Sequence, residues 1–241
     1  IMTILITGAA GFIGSHVTDQ LLAAGQQVIG LDSFNDFYHP SIKKENLSQA
    51  LNQAAFSLYD GSILDQALLA NIANKHKLTA IIHLAAYAGV RPSIEYPELY
   101  YSTNVDGTKN ILDMAKDNGC KRVLVASSSS VYGNNEKVPF AETDPVDQPI
   151  SPYATTKKMT EIMAYNYHHL YDLEIACLRF FTVYGPRQRP EMAIHKFCRM
   201  ILNGETIPVY NHGNCLRDYT YVDDIVQGVL AILESKTLTY D

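Results

Sequence analysis

The chain has 241 residues, 47% of them hydrophobic, with 25 acidic side chains against 19 basic ones and a net charge of −6. It is long enough to bury one α/β core, alone or with a small appendage. The acidic balance provides no basic field for nucleic acid or an anionic membrane surface, so a bound phosphate must be held by local groups.

Short apolar runs alternate with helical periodicity along most of the chain. Thr3-Ile4-Leu5-Ile6 reads as a buried strand, and Ile13, Val17 and Leu21 then recur four apart on one helix face. Gly25 ends that helix, and Gln27–Leu31 is a second strand. Further strands are predicted at Ala55–Tyr59, Ala80–Leu84, Arg122–Ser127, Glu174–Leu178 and Thr206–Tyr210. Helices are predicted over 41–53, 64–76, 95–118, 152–171, 191–202 and 223–234. Strand–helix–strand repetition implies a doubly wound parallel sheet covered on both faces. After about residue 180 the order loosens, with Gly185, Pro186, Pro190, Pro208 and Gly213 among several arginines. The expected division is a nucleotide-binding domain over 1–180 and a smaller substrate region over 181–241, with a helix returning to the core. The final stretch, Leu233 to Asp241, closes nothing, so the natural chain is expected to continue.

No run approaches the roughly 20 apolar residues that span a bilayer. The apolar start runs straight into a glycine loop and does not read as a leader peptide. Cys120, Cys177, Cys198 and Cys215 are widely spaced and form no C-x-x-C, which predicts free thiols, no metal site and a cytoplasmic location.

Gly8-Ala9-Ala10-Gly11-Phe12-Ile13-Gly14 follows the first strand and opens the first helix. Glycines there allow a tight turn, close approach of a pyrophosphate, and close helix–strand packing. The pyrophosphate then meets the free N–H groups and positive end of the helix, with Phe12 and Ile13 in its first turn. A glycine pattern alone is weak; Asp32 strengthens it. That carboxylate ends the second strand, where it can accept hydrogen bonds from an adenosine ribose and would repel a 2′-phosphate, favouring NAD over NADP. Asp60 and Gly61 after the third strand, and Leu84-Ala85-Ala86 after the fourth, fit the same site.

Tyr153 and Lys157 stand four apart on one helix face. A phenol with a pKa of about 10 is a poor base near neutrality; a nearby ammonium and a positive nicotinamide would lower it. Y-x-x-x-K by itself is common on surface helices. It gains weight from Ser127-Ser128-Ser129-Ser130 at the carboxyl edge of the fifth strand, where such sheets bind ligands.

With these motifs the chain resembles an extended short-chain dehydrogenase/reductase of the nucleotide-sugar epimerase and dehydratase group, over Thr3 to about Gly228. The resemblance implies a Rossmann-like fold, bound NAD, a catalytic triad on Ser128, Tyr153 and Lys157, and a cofactor-side asparagine at Asn104. It also implies a mechanism in which a sugar hydroxyl is oxidised, the keto sugar turns over, and hydride returns to its other face. Dehydratases of the group carry an acidic pair after the catalytic hydroxyl, and related decarboxylases a glutamate. Here Ser129 and Ser130 stand instead, and neither can supply the acid or base that loss of water requires. Epimerisation is therefore expected.

The segment Arg179–Pro190, with Thr182, Arg187 and Arg189, resembles the family's sugar and diphosphate border, and Arg217 matches an arginine that the family sets on the diphosphate. Together with Ala88–Glu95, which includes Arg91, and Tyr210–Asn214, this pattern resembles the branch that epimerises UDP-glucuronate. A sugar carboxylate leaving water needs charge-assisted hydrogen bonds, and Ser129, Ser130, Thr182 and Arg189 are suitable donors. Arg91, Arg187, Tyr210 and Arg217 complete the expected substrate set. Other readings are UDP-glucose or UDP-N-acetylglucosamine epimerisation, or a non-catalytic NAD sensor. The expected partners are a UDP-sugar and a second copy of the chain, paired through helices 95–118 and 152–171.

Overall fold

The structure is a computed structural model that describes residues 1–209, 211–214 and 216–240. Six parallel strands form the central sheet: β1 (Thr3–Thr7), β2 (Gln27–Asp32), β3 (Phe56–Asp60), β4 (Ala80–His83), β5 (Arg122–Ala126) and β6 (Glu174–Leu178). Their order is β3-β2-β1-β4-β5-β6, all parallel. The chain winds outward from β1 to β3, returns, and starts again at β4, so a crevice opens between the carboxyl ends of β1 and β4.

Alternation along the strands fills two cores. Ile4, Ile6, Ile82 and Leu124 face one side, under α1 (Phe12–Ala23) and α9 (Val222–Glu234). Leu5, Ile81, Val123 and Val125 face the other, under α3 (Gln66–Lys75), α6 (Gly107–Asp117) and α7 (Pro152–Tyr171). Period-two alternation of large apolar groups is what a sheet covered on both faces requires. α9 buries Val222, Val226, Val229 and Leu233, at helical spacing, and packs on α1.

Most sequence-predicted elements form within a few residues of their expected bounds, and α7 forms over the expected 152–171. Ser151 caps it, its Oγ accepting from the Ala154 N–H at 3.1 Å, and Pro152 takes the first helical position. Three places differ. The helix expected over 41–53 stops as α2 (Pro40–Asn46), followed by one short turn at Ala50–Asn52. The helix expected over 95–118 is preceded by α4 (Val90–Glu95), begins as α5 (Pro97–Tyr100), and widens into a π turn over Tyr101–Asp106 before α6. The strand expected at Thr206–Tyr210 does not form over 206–209: Pro208 offers no N–H, and Val209 is 67% exposed. The second sheet is instead made by two three-residue parallel strands, β7 (Thr182–Tyr184) and β8 (Tyr219–Tyr221). α8 (Ala193–Leu202) buries none of its residues.

Candidate active site

A single cavity of about 740 Å³ runs along the carboxyl edge of the sheet, from the glycine loop to the serine run. At one end Gly8, Gly11, Phe12, Ile13 and Gly14 form its floor. Gly8 has φ +72°, and a Cβ there would lie 2.9 Å from the Ala85 backbone nitrogen. A Cβ on Gly14 would fall 2.1 Å from the Gly8 carbonyl oxygen. The loop therefore closes only with glycine at both positions. Gly11 begins α1 with no side-chain cap, and no acidic residue occupies the first turn, which leaves the helix N-terminus electropositive.

Asp32 stands at the next wall, buried, with its two oxygens accepting from Ala10 N (3.0 Å) and Phe34 N (2.9 Å). Burial pushes its carboxyl upward; those N–H groups and the Lys43 cation oppose the shift. Gly61, Leu84, Ala85 and Ala86 line the same end. Asp60 is paired in register with Asp32 but is exposed and not part of the wall, which Gly61–Leu64 form instead. A glycine floor that a Cβ would fill, a bare helix N-terminus, a buried carboxylate at the end of β2 and small residues opposite together fit an NAD molecule.

At the other end α7 brings Tyr153 and Lys157 to the cavity, facing Ser128, Ser129 and Ser130 at the end of β5. Ser128 opens a short helical turn (Ser129–Tyr132), and its Oγ accepts from the Ser130 N–H at 3.1 Å. Its hydroxyl also faces the Tyr153 phenol. Lys157 Nζ donates to the Ala126 carbonyl at 2.7 Å. Burial lowers this ammonium to about 8. The sequence suggests that Lys157 lowers the Tyr153 phenol. In the protein by itself burial wins and the phenol is raised, opposed by the Ser128 hydroxyl and the Arg189 cation.

Asn104 lies in the π turn, 1% exposed and outside the cavity wall. Its Oδ1 accepts from Tyr87 N (2.8 Å), and its Nδ2 donates to Tyr87 O (3.0 Å) and Thr156 Oγ1 (3.0 Å). It thus bolts the wall residue Tyr87 to α7, one residue before Lys157. His83 is buried between Thr7 Oγ1 (2.7 Å) and Thr108 Oγ1 (2.9 Å), and burial drops it to about 3, so it is a neutral strut.

The expected substrate residues divide. Ser129, Ser130, Thr182 and Arg189 line the cavity together. Arg189 pairs with Glu191 at 3.0 Å and lies over the Phe37 ring at 5.6 Å, joining the loop after β2 to the loop after β7. Arg187 does not reach the cavity: it has φ +63° and donates to Asp19 Oδ2 on α1 at 2.7 Å. Beside it His16 Nε2 meets the Pro186 carbonyl at 3.0 Å. Arg91 and Arg217 are exposed and off the wall. Tyr210 lies outside the described residues.

Tyr38, Lys43 and Tyr87, outside the expected site set, also stand on the wall. The Tyr38 hydroxyl is buried without a hydrogen-bond partner among the described residues. The Lys43 ammonium lies over its ring at 5.0 Å and donates to Asn35 O and Oδ1. No motif marks these residues.

Comparisons with known proteins agree with this geometry. Residues 4–239 match the model of the NAD dependent epimerase/dehydratase family. Protein CapI of Staphylococcus aureus is 46% identical over 233 residues, covering 97% of this chain and 70% of that protein. UDP-glucuronate 4-epimerase 4 of Arabidopsis thaliana is 47% identical over 238 residues, but the chain spans only 54% of its length. Among solved structures, the UDP-glucuronic acid 4-epimerase of Bacillus cereus, in complex with UDP-glucuronic acid and NAD, superposes with a TM-score of 0.90 at 35% identity. That match covers 99% of this chain and 75% of the other. Matched to its model over residues 4–239 and 46% identical to a relative of which it covers 70%, the chain belongs to the NAD dependent epimerase/dehydratase family.

Proposed function

We propose that the chain forms the NAD-binding and catalytic part of a UDP-glucuronate 4-epimerase, with residues 1–180 holding the cofactor and 181–241 contributing part of the substrate site. One observation carries the substrate: Ser129, Ser130, Thr182 and Arg189, all able to donate to a carboxylate, share one cavity wall with Tyr153 and Lys157. Gly8, Gly11, Phe12, Ile13, Gly14, Asp32, Gly61 and Leu84–Ala86 would hold NAD. Bound there, NAD would supply a reversible hydride acceptor beside the sugar carbon.

The chain's own groups handle the proton. Tyr153, as phenolate, accepts the proton of the C4 hydroxyl and later gives it back. Ser128 donates a hydrogen bond to the same oxygen, and the Lys157 ammonium stabilises the phenolate by its charge. Burial raises the phenol, so the phenolate depends on positive charge brought to the cavity. The 4-keto form of a uronic acid is a β-keto acid, prone to lose CO₂. Donors fixed on its carboxylate hold it in place and suppress that loss, which gives the hydroxyl cluster a chemical purpose. Ser129 and Ser130 supply no carboxylic acid, so elimination of water has no catalyst there.

The outer face of α7 leaves Met159, Ile162 and Tyr165 exposed beside Leu99 of α5. This supports pairing with a second copy through those helices. The three described cysteines are free thiols, in keeping with a cytoplasmic setting. Among the described residues no helix is long and apolar enough to cross a membrane.

The deciding experiment supplies UDP-glucuronate, UDP-glucose and UDP-N-acetylglucosamine separately and resolves the products. UDP-galacturonate is the expected product, and no turnover of the uronic acid would overturn the substrate assignment.

A further inference from the structure

We infer that Glu161 is a positioning residue for this chemistry: paired with Arg179 and Ser127, it clamps the end of β5 to α7 and so fixes Lys157 and Ser128. The inference rests on Tyr153 and Lys157 being the catalytic pair.

Glu161 stands one helical turn beyond Lys157, as Lys157 stands one turn beyond Tyr153, so the three share a face of α7. Its side chain is buried and lies outside the cavity wall. Ser127 Oγ donates to Oε1 at 2.6 Å, Arg179 Nε donates to Oε1 at 2.9 Å, and Arg179 Nη2 donates to Oε2 at 3.0 Å. Lys158 Nζ approaches Oε2 at 3.9 Å. Both partners belong to the catalytic edge. Ser127 follows Ala126, whose carbonyl takes the Lys157 ammonium, and precedes Ser128. Arg179 lies between Leu178 and Phe180, whose carbonyls accept from Ser127 N (2.8 Å) and Ser129 N (2.9 Å). Arg179 also donates to Tyr132 Oη (3.2 Å) and lies over its ring at 5.2 Å, reaching the turn that carries Ser129 and Ser130.

A buried ion pair is no better for stability than well-packed apolar groups of the same size. Its placement points to electrostatics and geometry at Lys157. The titratable groups facing Lys157 come from three elements: Glu161 on α7, His83 on β4 and Cys177 on β6. His83 is neutral, and burial pushes the Cys177 thiol up to about 12, so neither carries charge near neutrality. Glu161 supplies the negative charge that keeps Lys157 protonated against burial. Tyr240 closes the back of the cluster, its hydroxyl donating to the Glu161 carbonyl at 3.1 Å.

Glu161→Gln keeps the shape and an acceptor for Ser127 but deletes the charge. In the NAD-loaded enzyme its kcat is expected to fall, with KM unchanged and the alkaline limb of the pH profile moved down by about one unit or more. Glu161→Asp, which keeps the charge, is expected to hold the limb near its wild-type position. A Gln variant whose limb and kcat match wild type overturns the inference. Should that variant not fold, Arg179→Lys tests the fork with both charges kept: lower kcat with an unmoved limb is expected, and unchanged kcat overturns the clamp. NMR titration of the Lys157 ε-carbon reads the same shift without turnover, so failure of the wild type to convert UDP-glucuronate counts against the substrate assignment alone.

Discussion

The two ends of the cavity are built by opposite means. The cofactor end is shaped by backbone: glycines with no room for a Cβ, a helix N-terminus, and a carboxylate already held by two N–H groups. The other end is shaped by side chains: a row of hydroxyls on a turn and a three-residue strand, and one arginine on the loop after that strand. A backbone cradle accepts one ligand class and resists substitution. A side-chain wall can be rewritten by single changes, which explains how one family acts on several sugars. Between the ends stands the Tyr153–Lys157 helix, and the largest expected effect lies there. Tyr153→Phe should lower kcat by about 10²–10⁴-fold while NAD is still retained, as judged by the cofactor released on denaturation. Loss of bound NAD along with activity would show that the ends are not separable.

The sugar end is tested next by Ser129→Ala combined with Thr182→Val, which deletes two hydroxyls and leaves the Ser128–Ser130 contact in place. Hydrogen bonds to a charged group contribute about 1.5–3 kcal/mol each, so losing two should lower kcat/KM for the uronic acid by about a hundredfold or more. Turnover of a neutral UDP-sugar should change little, and decarboxylated product should rise. Equal losses on both sugars would break the carboxylate assignment. At the cofactor end, Gly14→Ala forces a Cβ to 2.1 Å from the Gly8 carbonyl. Overpacking of this kind costs about 1–3 kcal/mol; thermal melting should show it, with NAD content reduced.

A smaller effect is expected from pH. The proposed chemistry needs Lys157 charged, and burial has lowered it to about 8. The ammonium, and with it activity, should therefore be present below that value and fade as pH rises through it. His83, held neutral down to about 3, should contribute no limb near 6.5. A kcat profile flat from pH 7 to beyond 9 would contradict the role given to Lys157.

How much of this was legible in the sequence follows the same division. The glycine loop, Asp32 and the α7 pair are local: their spacing within one turn or one strand–loop–helix unit carries the chemistry, and the structure puts them on one cavity. Asn104 is legible as a resemblance but not in its action, because that depends on a π turn that no periodicity announces. Glu161 and Arg179 are far apart in sequence and meet only through the sheet. Tyr38 and Lys43 sit on an irregular loop and a short helix, where pattern says little. The strand expected at Thr206–Tyr210 rests on β-propensity, and its described part, 206–209, pairs with no strand, whereas β7 and β8 are too short to leave a pattern and exist through each other.

Arg187 gives the smallest expected effect and the sharpest test of that boundary. Its place in an arginine-rich segment suggests a diphosphate ligand, yet its guanidinium lies on Asp19 of α1, with both side chains roughly a quarter exposed. Together with His16 on the Pro186 carbonyl, it ties the helix below the cofactor to the loop that carries Arg189. Partly exposed pairs contribute about 0–1 kcal/mol. Arg187→Met should therefore lower stability by no more than about 1 kcal/mol, with KM for the UDP-sugar close to wild type. If KM instead rises tenfold or more, about 1.4 kcal/mol of binding, the arginine swings from Asp19 to the diphosphate when substrate binds. The tie between the two ends would then be broken by the substrate itself.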